Sequence, residues 1–85
     1  MKITIESTTK IVTHVVNGSE VHARVWQGET ERGVPVQAFI TLIAPEVPKD
    51  DPRHAELTEQ FDQELTLRAD PRPTVAAIPL RFFID

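Results

Sequence analysis

Along the first half of the chain, apolar and polar positions alternate with a period of two, the pattern of strands that bury one face. Ile3 and Ile5 alternate with Lys2, Thr4 and Glu6 and predict an opening strand. Two β-branched runs follow, Ile11 to Val16 and Val21 to Trp26, separated by Asn17-Gly18. That dipeptide predicts a two-residue hairpin loop of type I′, a turn that needs positive φ at both central residues. Val16 then faces Ser19, Val12 pairs with Ala23, and His14 with Val21. A third run, Val34 to Ile43, follows Thr30-Glu31-Arg32-Gly33 and carries the apolar set Val34, Val36, Ala38, Ile40 and Leu42. A loop spanning residues 30–33 is expected, because it places this set on the same side as Val21, Ala23 and Val25. A loop longer or shorter by one residue would put the sets on opposite sides. The other face then gathers Ile11, Val15, His22, Arg24, Trp26, Phe39 and Thr41.

The period changes after Pro45 and Pro48. Asp51 is a good N-cap and Pro52 suits the first helical position, where a missing N–H costs nothing. Leu57, Phe61 and Leu65 then recur every fourth residue, while Glu56, Glu59 and Asp62 point away from that stripe. This predicts an amphipathic helix of roughly four turns that ends by Arg68 or Ala69, ahead of Pro71 and Pro73. Val75 to Ile84 alternates again and predicts a final strand, with Pro79 confining it to an edge. The expected fold is α+β in the order βββ(β)αβ. It is a small, largely antiparallel β-sheet of about four to five strands with one amphipathic helix packed on it. Residues 1–85 form a single domain.

Composition narrows the chemistry. The chain lacks Cys, so no disulfide or Cys-based zinc site supports so small a core, and self-association as a homodimer is the remaining support. Charges cancel over residues 1–49, and residues 50–85 carry the whole formal net charge of -4. The field repels phosphate and the cations are scattered, so nucleic acid is not an expected partner. No stretch approaches a membrane span and the start lacks the apolar run of a signal peptide, which reads as cytoplasmic.

His14, His22 and His54 with Asp50 and Asp51 have ligand types that suit zinc or manganese. However, the predicted hairpin puts His14 and His22 on opposite faces, so no metal site and no cofactor are expected. Ser7 and Ser19 have no evident base. The pairs Glu56 with Glu59 and Glu59 with Asp62 share an exposed helix face, where a carboxylate stays solvated. Gly18, Gly28 and Gly33 do not cluster into a phosphate-binding loop. The reading is non-enzymatic.

Two surfaces remain. Arg24, Trp26 and Phe39, with Ile11, are residue types enriched at protein–protein hot spots, although a packed element over that face would account for them equally well. Glu56, Glu59 and Asp62, continued by Glu64, form an acidic ridge. It reads either as a solvated helix face or as a surface complementary to a basic partner. The expected partner-binding residues are therefore Glu56, Glu59, Asp62, Arg24, Trp26 and Phe39.

The opening Met1-Lys2-Ile3-Thr4-Ile5-Glu6-Ser7-Thr8-Thr9-Lys10-Ile11-Val12, the stretches Ala23-Arg24-Val25-Trp26 and Val34-Pro35-Val36-Gln37-Ala38-Phe39-Ile40-Thr41, and the ending Ile78-Pro79-Leu80-Arg81 resemble a group of short proteins encoded by phages and prophages of Gram-negative bacteria. The resemblance implies a bacterial host cytosol and a small acidic protein that acts stoichiometrically on a bacterial or phage protein, including as an inhibitor of CRISPR or other defence systems. It transfers no target and no functional residue. The alternatives are a self-assembling structural or scaffold protein that pairs through the Leu80 to Ile84 edge, and a protein that sequesters a small ligand between helix and sheet.

Overall fold

The computed structural model describes residues 1–75. Strands β1 (Ile3–Val16), β2 (Ser19–Thr30) and β3 (Pro35–Ile40) form an antiparallel sheet in the order β1-β2-β3, and helix α1 (His54–Glu64) follows. The α+β class and the antiparallel sheet match the sequence reading. Among the described residues the sheet has three strands, against the four to five expected for the whole chain. The opening strand and the first hairpin strand are one continuous strand, and the expected final strand lies, from residue 76 on, outside the described residues. No helix of the described residues is long and apolar enough to cross a membrane.

The β1–β2 hairpin has the predicted loop, with Asn17 at φ 51 and Gly18 at φ 79. Val16 pairs with Ser19, His14 with Val21 and Val12 with Ala23. Further from the turn the register shifts. Ser7 faces Trp26 and Ile11 faces Arg24, so Thr8, Thr9 and Lys10 are opposed by Val25 alone. An even number of extra residues preserves the alternation, which is why Ser7 and Ile11 stay on the face of Trp26 and Arg24. Thr8 turns inward at this bulge and is 0% exposed. Its hydroxyl donates to the Val25 carbonyl at 2.6 Å and accepts from the Lys10 N–H at 3.2 Å, replacing ladder bonds that the bulge removes.

The β2–β3 connection corrects the expected register. Thr30 is still paired, its N–H donating to the Val34 carbonyl at 3.0 Å, and the Gly33 N–H returns to the Thr30 carbonyl at 3.0 Å. The loop is therefore Glu31-Arg32-Gly33, with Gly33 at φ 82, a turn closed by a left-handed glycine. The Thr30 hydroxyl secures this shorter loop by accepting the Val34 N–H at 3.1 Å. One residue fewer reverses every side chain of β3 relative to expectation. Val25 now pairs with Phe39, whereas Trp26 pairs with Ala38 and Arg24 with Ile40. Phe39 therefore leaves the Arg24/Trp26 face, and Val34 and Leu42 of the expected core set are exposed.

On the Val25 side, the His14 and Phe39 rings meet edge to face at 5.0 Å and 83°. Both lie on the face of the sheet that buries Ala23 and Val25. The chain beyond α1 is laced to this part of the sheet. Ala69 donates to the Ser7 carbonyl at 2.9 Å and accepts from the Thr9 N–H at 3.0 Å. Buried Gln27 donates its amide to the Asp70 carbonyl at 3.2 Å and accepts the Arg72 N–H at 2.8 Å. The Arg72 guanidinium then donates to the Gly28 and Val36 carbonyls, each at 3.2 Å.

The helix is shorter than expected. Asp51 accepts the Arg53 N–H on its carboxylate at 2.8 Å and the His54 N–H on its carbonyl at 3.0 Å. This Asx-type turn precedes the helix, so Arg53 takes the N-cap position, without a side-chain cap, and Asp51 does not. At the other end Thr66 donates its N–H and its hydroxyl to the Gln63 carbonyl, at 3.2 and 2.7 Å, and closes the helix at Glu64. Leu57 and Phe61 are half-buried, Leu65 is 36% exposed, and no residue of α1 is fully buried. The helix therefore does not pack on the sheet as expected: no Cα of α1 comes within 8 Å of a strand Cα, and only side chains at its C-terminal end reach toward the sheet.

Candidate functional site: a cleft between sheet and helix

A cleft of about 310 Å³ opens where the C-terminal end of α1 approaches the Trp26 face of the sheet. Its floor comes from β2 and β3. Ser7, Trp26 and Ala38 form one row across the sheet, and Ile11, Arg24 and Ile40 form the next. Small neighbours on both sides leave the Trp26 indole room, and the ring is half-buried. Arg24 is held by the bulge, its Nη1 donating at 2.9 Å to the Thr8 carbonyl. One side-chain donor is thereby committed to the fold while the residue still lines the cleft.

Phe61 and Leu65, four residues apart, present the apolar stripe of the helix to this floor, with Glu64 and Arg68 beside them. Leu42 and Ile43, just past β3, supply the third side, and Leu42 is 83% exposed. Among the described residues the one ion pair is Arg53 with Glu56 at 3.8 Å, on the solvent side. Arg24 and Arg68 thus have no carboxylate within pairing distance there.

Of the predicted site residues, Arg24 and Trp26 come together at the cleft. Phe39 does not; it lies on the opposite face against His14, as a consequence of the shorter β2–β3 loop. Glu56, Glu59 and Asp62 are exposed on α1, where Arg53 partly offsets Glu56, and none of them lines the cleft. Glu64, the continuation of the ridge, does. Sequence reasoning missed Ile40, Leu42, Ile43 and Arg68 as parts of this site. The Leu42-Ile43 pair had a signal, an apolar run continuing to the end of the strand pattern, while Arg68 had none.

The histidines stay apart as the hairpin register requires: His14 faces Phe39, and His22 shares a 2.9 Å hydrogen bond with the Thr13 hydroxyl on its own strand pair. Among the described residues no group of three or more His, Cys, Asp or Glu side chains is arranged to hold a metal ion. Comparison with protein-family models, with curated proteins and with solved structures yields no match.

Proposed function

We propose that this chain acts without catalysis, by binding a bacterial or phage protein stoichiometrically through the Arg24/Trp26 cleft, and so blocks or modulates a host system such as a defence complex. The observation that carries the reading is the open cleft itself: Arg24 and Trp26 at its floor, exposed Leu42 and partly exposed Leu65 on its sides. Trp and Arg at the centre of a patch, ringed by apolar side chains that exclude water, is the anatomy of a binding hot spot. Covering a large aliphatic side chain is worth up to about 1.5–3 kcal/mol, so a partner that closes this cleft gains several such contributions. The bacterial setting rests on the sequence resemblance.

The test is capture from bacterial lysate by the tagged chain and by its Trp26→Ser variant, with circular dichroism establishing that both are folded. The expected result is a partner held at one-to-one stoichiometry by the native chain and lost with Trp26→Ser. Identical capture by both would overturn the proposal.

Self-association is the second reading, and a different surface favours it. Beyond Arg24 the β1–β2 hairpin extends as a two-stranded ribbon past the paired part of β3, and it exposes Ile11, Val15 and Val16. Light scattering on a Val15→Glu variant separates this reading: loss of a dimer present in the native chain supports it, and an unchanged mass removes it.

A further inference from the structure

The sign of the cleft is opposite to that of the molecule around it. The chain carries a formal net charge of -4, yet its cleft is lined by Arg24 and Arg68 against Glu64 alone. Among the described residues neither guanidinium has a carboxylate within ion-pair distance, although 13 acidic residues are available in the chain. Glu64, the last residue of α1, stands four residues before Arg68 and does not pair with it. The two cations share the cleft lining with the apolar side chains of Trp26, Ile40 and Phe61. A guanidinium beside an aromatic face is suited to a carboxylate whose neighbour is a large apolar side chain, because planar bidentate pairing and ring stacking operate together.

Resting on the protein-binding reading above, we infer that the cleft recognises an acidic peptide segment, in which Asp or Glu stands within a turn of an aromatic or long aliphatic anchor. The anchor sits on Trp26 and Phe61 and the carboxylate meets Arg68 and the free donors of Arg24. A basic segment is disfavoured, since it would bring like charge to both guanidinium groups.

The experiment is selection of a random dodecapeptide display library on the immobilised full chain, with Arg68→Glu as the paired variant. Arg68 is exposed and makes no hydrogen bond among the described residues, so reversing it leaves the fold in place, whereas Arg24 also anchors the Thr8 bulge. Selected peptides are then titrated against both chains by the emission of Trp26, the single tryptophan. The expected result is enrichment of acidic-apolar peptides that shift Trp26 emission, bind Arg68→Glu about three- to tenfold more weakly, and lose affinity as salt rises. Enrichment of basic or uncharged peptides, equal binding to Arg68→Glu, or no enrichment would overturn the inference. Its failure is distinguishable from that of the broader proposal: Trp26-dependent capture from lysate together with no acidic preference removes only the peptide class.

Discussion

Replacing Gly28 by alanine is expected to be the most damaging glycine substitution in the described part of the chain, and the reason is contact, not backbone conformation. An ideal Cβ at this position would lie 1.8 Å from the Thr4 carbonyl oxygen and 2.7 Å from both the Ile5 Cα and the Thr4 carbonyl carbon. Carbon and oxygen atoms meet comfortably at about 3.3 Å, so β1 and β2 would have to part by roughly 1.5 Å. The obstructing atoms are backbone, and no rotamer change relieves them. Overpacking costs about 1–3 kcal/mol in itself, and parting the strands sacrifices ladder bonds worth about 1 kcal/mol each, giving a loss of about 3–5 kcal/mol. A chain of this size has about 4–13 kcal/mol of stability in total. Urea unfolding followed by Trp26 emission should therefore show a midpoint lowered by about 2 M, or no folded baseline. Gly18 and Gly33 are the controls, because each has positive φ but open space where a Cβ would go. Alanine at either should cost only about 1–2 kcal/mol. A Gly28→Ala midpoint within about 0.3 M of the native chain, or a smaller loss than at Gly18 and Gly33, would refute the reasoning.

The remaining predictions test other parts of the architecture. Thr8→Val removes the hydroxyl that satisfies the buried Val25 carbonyl and should cost about 1–3 kcal/mol by urea unfolding, with Thr8→Ser costing less. Gln27→Leu breaks the bonds to Asp70 and Arg72 and should accelerate amide exchange across residues 67–73 by tenfold or more, a change of about 1.4 kcal/mol, read by mass spectrometry. Phe39→Ala should destabilise by about 1–3 kcal/mol while leaving partner capture per folded molecule unchanged, whereas Trp26→Ser should lose capture per folded molecule at a similar cost in stability. Charge reversal at Glu59 and Asp62 should leave the melting temperature within about 2 °C, since exposed charges contribute little.

The parts of the fold legible in the sequence were those where one local feature decides the geometry. Asn17-Gly18 determines both turn type and register, so every pair from Val16/Ser19 to Val12/Ala23 follows from it. The β2–β3 loop was not legible in this way. Gathering Val34, Val36, Ala38, Ile40 and Leu42 with Val21, Ala23 and Val25 assumes one apolar face, whereas this sheet uses both. The shorter loop depends on a hydrogen bond to the Thr30 hydroxyl that hydrophobic patterning does not register. The polar stretch Thr8-Thr9-Lys10 interrupts the alternation and marks the bulge in retrospect. At the cleft, Arg24 and Trp26 were readable from strand period and Phe61 and Leu65 from helix period. Their meeting depends on how residues 65–69 return to the sheet, which is set by bonds to Ser7 and Thr9 far away in the chain.

The lacing of residues 67–72 onto the sheet also imposes an order of assembly. The Gln27 amide is buried, and its partner Arg72 N–H lies 45 residues further along. The Ser7 hydroxyl donates to the Leu67 carbonyl 60 residues away. Hairpins close in microseconds, so β1, β2 and β3 can pair as soon as they emerge. The sheet they form still carries polar groups reserved for a segment synthesised seconds later, at ordinary elongation rates of about 5–20 residues per second. Until that segment arrives, water must serve Gln27 and the carbonyls of Gly28 and Val36, and the nascent sheet stays hydrated at its centre. Arrival of residues 67–72, and not formation of the hairpins, is the event that seals this sheet.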